Sequence, residues 1–96
     1  MTIAVVVELS VKPEHSSDIA AGLAQTLAVT RGFAGCLGIQ GCRHDSVPHR
    51  FVMLEHWESR AHYERYLEWR KQTGMMEQMG GVLADVPSTR IMDVIA

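Results

Sequence analysis

The segment from Arg50 to Glu58 constrains the fold most, because it is apolar on both faces of a predicted strand. Its side chains alternate with a period of two, a pattern typical of strands. One face carries Phe51, Met53, Glu55 and Trp57, and the other carries Val52, Leu54, His56 and Glu58. A strand of this kind is usually covered on both faces. The chain must therefore shield two sides of the sheet that contains this segment.

The rest of the sequence supplies three further strands and two helices. We expect strands over residues 2–12, 33–43 and 88–95, the second of them interrupted by glycines that often mark a bulge or a close approach. Apolar residues at every fourth position predict a helix over residues 13–31, with Gly32 as a left-handed cap. Ser59 suits the N-cap of a second helix that runs to Thr73. Residues 75–83 are rich in methionine and predict a short, adjustable helical lid.

This order of elements predicts a ferredoxin-like βαββαβ fold of the α+β class. We expect residues 1–96 to form one domain with a four-stranded antiparallel sheet, whose two helices cover only one face. The other face presents Val6, Val52, Leu54 and, from the alternation, Cys36. A second copy related by two-fold symmetry is the simplest cover for this face, so the sequence predicts a homodimer.

Charge and hydropathy exclude several kinds of partner. The chain has 47% hydrophobic and 21% charged residues, and its net charge is −2 with no basic stripe. A nucleic-acid partner is not expected from this pattern. The apolar runs are too short to span a membrane, and the first residues are typical of a strand rather than of a secretory signal.

The two cysteines, Cys36 and Cys42, lie on one predicted strand. Their separation along an extended chain, roughly 20 Å, is too large for a disulfide between them. We therefore interpret both as reduced thiols that pack in the interior of a cytoplasmic protein.

Two stretches of the sequence resemble the antibiotic biosynthesis monooxygenase family. They are Gly-Cys-Leu-Gly at residues 35–38 and Phe-Val-Met-Leu-Glu-His-Trp-Glu-Ser at residues 51–59. The family combines a G-C-L strand, an E-x-W-x-S junction between strand and helix, and a loop or lid before the closing strand, here residues 74–93. The resemblance implies a dimeric α+β barrel that hydroxylates phenols or oxidises quinols with molecular oxygen, without flavin or metal.

The resemblance also implies a pocket inside each subunit, between the helices and the sheet. Trp57 matches the family's pocket tryptophan, and Tyr63 matches a tyrosine that some members place in the pocket. We expect Trp57, Tyr63 and Tyr66 to be the catalytic residues, and we expect the substrate to contact Met53, His62, Arg70, Met76 and Met79. Haem-degrading relatives have a histidine near the position of Tyr66, so the tyrosine argues against haem degradation.

Most of these residues also have a purely structural interpretation. Trp57, Tyr63 and Tyr66 would equally fit an ordinary apolar core. Arg70 could favour a phenolate by its charge, or it could lie along the surface. Glu55 shares the face of Trp57 and could act as a base, although a pair with Arg50 or Arg90 across the sheet is equally consistent with its position.

Other functions stay open at this level. The five histidines have no spacing that suits a metal site, and the chain has no phosphate-binding loop or nucleophile elbow. The same barrel could host an isomerase or a cyclase, or it could bind a small aromatic molecule without turnover. The preferred prediction is a cofactor-independent monooxygenase acting on a phenolic or quinol aromatic, and neither the substrate nor the pathway follows from the sequence.

Overall fold

The computed structural model describes all 96 residues and contains four strands and three helices. In chain order they are β1 (Ile3–Ser10), α1 (Ser16–Arg31), β2 (Cys36–Arg43), β3 (Arg50–Trp57), α2 (Arg60–Gln72), α3 (Met75–Gly80) and β4 (Ser88–Asp93). A single 3₁₀ turn over Pro13–His15 precedes α1. The predicted ferredoxin-like α+β class is confirmed.

The strands form one antiparallel sheet in the order β2-β3-β1-β4. β3 therefore lies inside the sheet and is paired on both sides. Glu55 stands opposite Val5 of β1 and Ile39 of β2, so it occupies the middle of the face that the helices cover. The period-two alternation of β1 and β3 sets this register, because a slip by one residue would expose the apolar set.

The ends of the helices agree with the predicted caps at two positions and differ at a third. The Ser59 hydroxyl accepts a hydrogen bond from the backbone N–H of His62, and Gly74 adopts the left-handed conformation with φ 78°. Gly32 is not a left-handed cap, since its φ is −80°. The left-handed residue lies three positions later, at Gly35, with φ 91°. A Cβ atom at Gly35 would overlap the His62 side chain, so the close approach of α2 also requires glycine.

A β-bulge changes the predicted facing of Cys36. The pairing of β2 with β3 shifts between Cys36 and Gly38, so that Cys36 stands opposite Trp57. The extra residue reverses the alternation, as bulges do. Cys36 consequently packs beneath the helices, and the prediction that it lies on the open face is wrong. Cys42 is exposed, which contradicts the expectation that both thiols are buried.

The interior between sheet and helices consists of two groups of buried side chains. The aromatic cluster lies under α2 and contains Ile3, Val5, Trp57, Tyr63 and Tyr66. The aliphatic cluster lies under α1 and contains Val11, Leu27, Ile39, Phe51 and Met53. α1 approaches β2 closely at Gly41, where a Cβ atom would overlap Leu23. This is the close approach that a glycine within the strand predicted.

The opposite face of the sheet carries apolar side chains with no cover from the chain itself. Leu54 is 38% exposed and Met92 is 45% exposed, and Val6 and Val52 beside them are half-buried. Glu8 and Arg90 form an ion pair with an N–O distance of 3.4 Å on this face. Arg90 is therefore engaged by Glu8 and does not pair with Glu55. No helix has the length and apolar character needed to cross a membrane.

Candidate functional site

A cavity of about 330 Å³ lies between α1 and the sheet and is bordered by α2 and α3. Its volume falls at the lower end of the ~300–1,000 Å³ typical of small-molecule sites. Eleven of its eighteen lining residues are hydrophobic, so the walls favour an apolar ligand. These eleven are Val7, Leu9, Ile19, Leu23, Leu27, Ile39, Met53, Tyr66, Met75, Met79 and Val82.

The cavity exists because α1 presents small side chains where it faces α2 and α3. Gly22 and Thr26 line the cavity from α1, and no atom lies within 4 Å of the position that a Cβ of Gly22 would occupy. One side-chain hydrogen bond joins α1 to α2, between the hydroxyl groups of Thr30 and Tyr66 at 2.8 Å. The two helices are therefore held at one end and leave space along the rest of α1.

The segment that contains α3 forms the rim of this cavity. Met75, Gln78, Met79 and Val82 contribute to the lining, as the predicted methionine-rich lid requires. The end of the segment is fixed to the C-terminal end of β1 and to the residues that follow it. The backbone N–H of Ala84 donates to Ser10 O at 2.8 Å, and the N–H of Lys12 donates to Val82 O at 2.8 Å. α3 is thus attached to the sheet at its C-terminal side and to α2 through Gly74.

Glu55 is a buried carboxyl group on the wall of this apolar cavity. The residue is only 5% exposed, and its Oε1 accepts a hydrogen bond of 2.9 Å from the indole Nε1–H of Trp57. Burial raises the pKa of Glu55 above its ordinary value, an effect that the hydrogen bond from Trp57 and the charge of Arg70 partly oppose. A carboxylate whose conjugate acid has a raised pKa is a stronger base than an ordinary carboxylate.

Tyr66 lines the cavity between Glu55 and α1. Its side chain is 4% exposed, and the hydrogen bond with Thr30, itself 1% exposed, fixes the position of its hydroxyl group. Burial raises the pKa of Tyr66, with opposing effects from the hydrogen bond to Thr30 and from the charge of Arg70. The phenol therefore stays protonated at neutral pH and presents a neutral hydrogen-bonding group to the cavity.

Arg70 contributes a cation to the same wall. Its guanidinium carbon lies 5.7 Å from the centre of the Tyr66 ring, a distance that suits a cation–π contact. The Nε atom is fully buried and has no hydrogen-bond partner, and no other buried side-chain nitrogen or oxygen shares this condition. Arg70 takes part in none of the ion pairs of the structure, so its charge is not neutralised by direct contact with Glu55.

The structure brings together four of the eight residues that the sequence predicts for the site, namely Met53, Tyr66, Arg70 and Met79. Trp57 does not line the cavity. It has no exposed surface, and it lies behind Glu55 as a hydrogen-bond donor. Tyr63 also lies in the aromatic cluster away from the cavity, and burial raises its pKa to about 12.

His62 and Met76 are likewise outside the cavity lining. The His62 ring contacts the Ser59 hydroxyl at 2.7 Å and lies 3.5 Å from a Glu58 carboxylate oxygen, at the N-terminus of α2. Met76 is 38% exposed on the outer side of α3. The structure contains no group of three or more His, Cys, Asp or Glu side chains that could together hold a metal ion.

Glu55 and Thr30 are two polar residues of the site that are not among the eight residues that the sequence predicts for it. Glu55 lies on the predicted inner face of β3, and its burial among apolar neighbours was the available signal. Thr30 gives no such signal, because a threonine near the end of a helix is ordinary. Its role depends on the distance from Tyr66, thirty-six residues later in the chain.

Comparison with known proteins agrees with this architecture. The family model for antibiotic biosynthesis monooxygenase matches residues 2–78. A crystal structure of an antibiotic biosynthesis monooxygenase superposes with a TM-score of 0.86 at 19% identity, covering 98% of this chain and 99% of the other. A protein from Pseudomonas aeruginosa gives a TM-score of 0.84 at 20% identity, with 99% and 95% of the chains covered.

A protein of unknown function from Nitrosomonas europaea also has a TM-score of 0.84, at 19% identity, covering 99% of this chain and 90% of the other. No protein with a curated function matches the sequence. At these identities the structural matches establish the fold alone, and the reaction and the substrate depend on the residues of the cavity.

Proposed function

Since the chain belongs to the antibiotic biosynthesis monooxygenase family, we propose that it oxidises a phenolic or quinol-type aromatic with molecular oxygen inside the cavity under α1. The observation that carries this proposal is the buried Glu55 carboxyl on a wall that is otherwise largely apolar. Such a site accepts a flat apolar ring and removes one proton from it. The ionised ring can then donate electrons to oxygen directly.

The proposed reaction converts the ring CH₂ group of an anthrone, which lies across the central ring from the ketone, to a carbonyl group. Glu55 takes one proton, and the resulting aryloxide transfers one electron to O₂. The radical and superoxide combine into a C–O bond, which leaves a peroxide on the former CH₂ carbon. The protonated Glu55 carboxyl gives its proton to the peroxide, and the Glu55 carboxylate then takes the second C–H proton as the O–O bond breaks, which forms the carbonyl and releases hydroxide. The released hydroxide takes the proton held by Glu55, so the products are one quinone and one water.

Two neighbouring residues and the apolar walls of the cavity support the role of Glu55. Trp57 donates to Oε1 and so fixes the carboxyl group, which makes it a positioning residue rather than a ligand contact. Tyr66 is fixed by Thr30 and offers its ring face and hydroxyl to the substrate. The apolar walls exclude water from the carboxylate and from the anion it generates, which raises the reactivity of both. No step requires Tyr63, His62 or Met76 to contact the substrate.

Oxygen consumption with anthrone and with a panel of hydroquinones tests this function. We expect the wild type to consume one O₂ per anthrone converted, and we expect Glu55→Gln to lower kcat by at least about 10²-fold because the base is lost. Glu68→Gln is the matched control, since Glu68 is an exposed carboxylate on α2. Full activity in Glu55→Gln would contradict the proposal. Conversion without oxygen would indicate an isomerase or cyclase, and tight binding without conversion would indicate a binding protein.

We also propose that the open face of the sheet pairs with a second copy of the chain to form a barrel-like homodimer. Leu54 and Met92 project from this face together with Val6 and Val52, and a two-fold axis would place each apolar set against its equivalent. Sedimentation should show a dimer at micromolar concentration that Leu54→Glu dissociates. Val86→Glu is the control, because Val86 is 92% exposed outside this face. A monomeric wild type would contradict the pairing.

A further inference from the structure

Gly22 is the one residue of the cavity lining that has no side chain, and it lies in the interior of α1. A glycine in a helix interior destabilises the helix relative to alanine. No atom lies within 4 Å of the position that a Cβ of Gly22 would occupy, so packing within the chain does not require glycine there. Alanine is accepted at four other positions of α1, which are Ala20, Ala21, Ala24 and Ala28.

Two other glycines show what a packing requirement looks like in this fold. At Gly35 a Cβ atom would overlap the His62 side chain, and at Gly41 it would overlap Leu23. The chain itself therefore explains both residues. The free space at Gly22 belongs to the cavity instead, and a ligand is the group that would use it.

The exposed residues of the lining mark where the cavity opens to solvent. They are Asp18, Gly22 and Thr26 of α1 and Gln78 of α3. The three α1 residues are four positions apart, so they form one stripe along the helix. Glu55 lines the same cavity and is buried, which places it at the inner end. A ligand that extends from Glu55 toward solvent therefore passes the α1 stripe, and Gly22 is the centre of that stripe.

We propose that Gly22 determines how long a ligand the cavity accepts. This inference rests on the proposed function for the chemistry of the ligand, and it adds a residue that controls the ligand's size. A compound with a single ring fits against Glu55 and Tyr66 without reaching the mouth of the cavity. A compound with three fused rings extends to Gly22, where a side chain would occupy the space of its outermost ring. The absence of a side chain at Gly22 is thus what admits the longer ligand.

Binding of a short and a long aryl ketone to Gly22→Leu tests this assignment. Equilibrium dialysis under nitrogen measures the dissociation constants of acetophenone, which has one ring, and of anthrone, which has three, without oxidation. We expect Gly22→Leu to raise the constant for anthrone at least about tenfold, because the added side chain excludes the outer ring. The constant for acetophenone should stay unchanged. Leucine has a higher helix propensity than glycine, so a loss of α1 would not account for this result.

Ala24→Leu is the matched control, since Ala24 is exposed on the same helix outside the cavity lining, and both constants should equal those of the wild type. Unchanged anthrone binding in Gly22→Leu would overturn the proposal. So would an equal weakening of both ligands, or a failure of the wild type to bind anthrone. If Gly22→Leu does not fold by circular dichroism, Thr26→Leu, one turn later in the same stripe, decides by the same criterion. A size effect without oxygen consumption by the wild type would contradict the oxygenase proposal and leave this one intact, so the two failures are distinguishable.

Discussion

The aromatic and aliphatic clusters lie side by side on one face of the sheet, yet they contribute unequally to the lining of the cavity. In the aromatic cluster, the Trp57 and Tyr66 rings pack with centroids 4.9 Å apart, and Phe33 packs edge-on against Tyr66 at 5.4 Å. Three members of the aliphatic cluster, Leu27, Ile39 and Met53, line the cavity, and Tyr66 is the one member of the aromatic cluster that does. Large rings close one half of the interior, and the small residues of α1 keep the other half open.

This difference indicates that the residues that stabilise the fold are largely distinct from the residues that line the cavity. Trp57 and Tyr63 provide large buried surfaces and fix the sheet to α2, while Glu55, Tyr66 and Arg70 lie where the closed half meets the open half. The site is thus held by a rigid wall on one side and bounded by flexible methionines on the other. Substitutions in the two halves should therefore change the free energy of unfolding by different amounts.

Truncation of the closed half should have the largest effect on stability. Trp57→Ala removes a side chain with no exposed surface, and we expect it to lower the free energy of unfolding by about 3–5 kcal/mol. Urea denaturation measures the loss. Trp69→Ala is the control, because Trp69 packs against the same cluster but is only half-buried, and its loss should be smaller. Equal losses would contradict the claim that Trp57 anchors the closed half.

The link between the two halves should be the next most sensitive position. Thr30→Val preserves the shape of the side chain but leaves the buried Tyr66 hydroxyl without its partner. We expect a loss of about 1–3 kcal/mol in the free energy of unfolding, the usual cost of an unpaired buried polar group. The double variant with Tyr66→Phe should recover part of this loss, since both hydroxyl groups are then absent. Additive losses in the double variant would show that the hydrogen bond contributes little.

Glu55 should make stability depend on pH in a defined direction. Burial raises its pKa in the folded state above the ordinary 4.5, so the protonated carboxyl stabilises the fold below that pH and this stabilisation is lost as pH rises through the folded-state pKa. Glu55→Gln stays neutral and should therefore become more stable than the wild type as pH increases. Thermal unfolding at several pH values measures the difference. A difference in melting temperature that does not change with pH would contradict the raised pKa.

The smallest effect should come from the open half. Gly22→Ala adds a methyl group where α1 faces free space, and we expect a gain of about 0.5–1 kcal/mol from the better helix propensity of alanine. Gly35→Ala is the contrasting variant, because Gly35 has φ 91° and a methyl group there overlaps His62. It should lose stability where Gly22→Ala gains it. Urea denaturation of both proteins gives the comparison, and a loss in Gly22→Ala would show that α1 is closely packed there.

The fold was predictable from the sequence because it depends on local patterns. The alternation in β1 and β3, the N-cap at Ser59 and the left-handed Gly74 all follow from neighbouring residues. The errors arose where one residue changed the register. The bulge after Cys36 reversed the facing of that thiol, and the left-handed turn after α1 fell at Gly35 instead of Gly32. Both glycines are visible in the sequence, but only the tertiary structure shows that α2 approaches Gly35 and not Gly32.

The site was only partly predictable for a related reason. The inner faces of β3 and α2 identified Met53, Tyr66 and Arg70, because an amphipathic pattern shows which residues point inward. The same pattern cannot separate inward residues that line a cavity from those that fill the core, such as Trp57 and Tyr63. That distinction depends on the small residues of α1, which lie more than thirty positions away. The catalytic roles given to Trp57, Tyr63 and Tyr66 stay predictions.

The methionine methyl groups provide the most direct test of the central claim that aromatic ligands enter the open half. Met53, Met75 and Met79 line the cavity, whereas Met92 lies on the opposite face of the sheet. Methyl-labelled methionine can be observed by NMR while 1-tetralone, a bicyclic aryl ketone, is added. The account predicts that the resonances of Met53 and Met79 shift with a saturable dependence on 1-tetralone while that of Met92 does not. Movement of Met92 with Met53 unchanged would place the ligand on the wrong face and contradict the account.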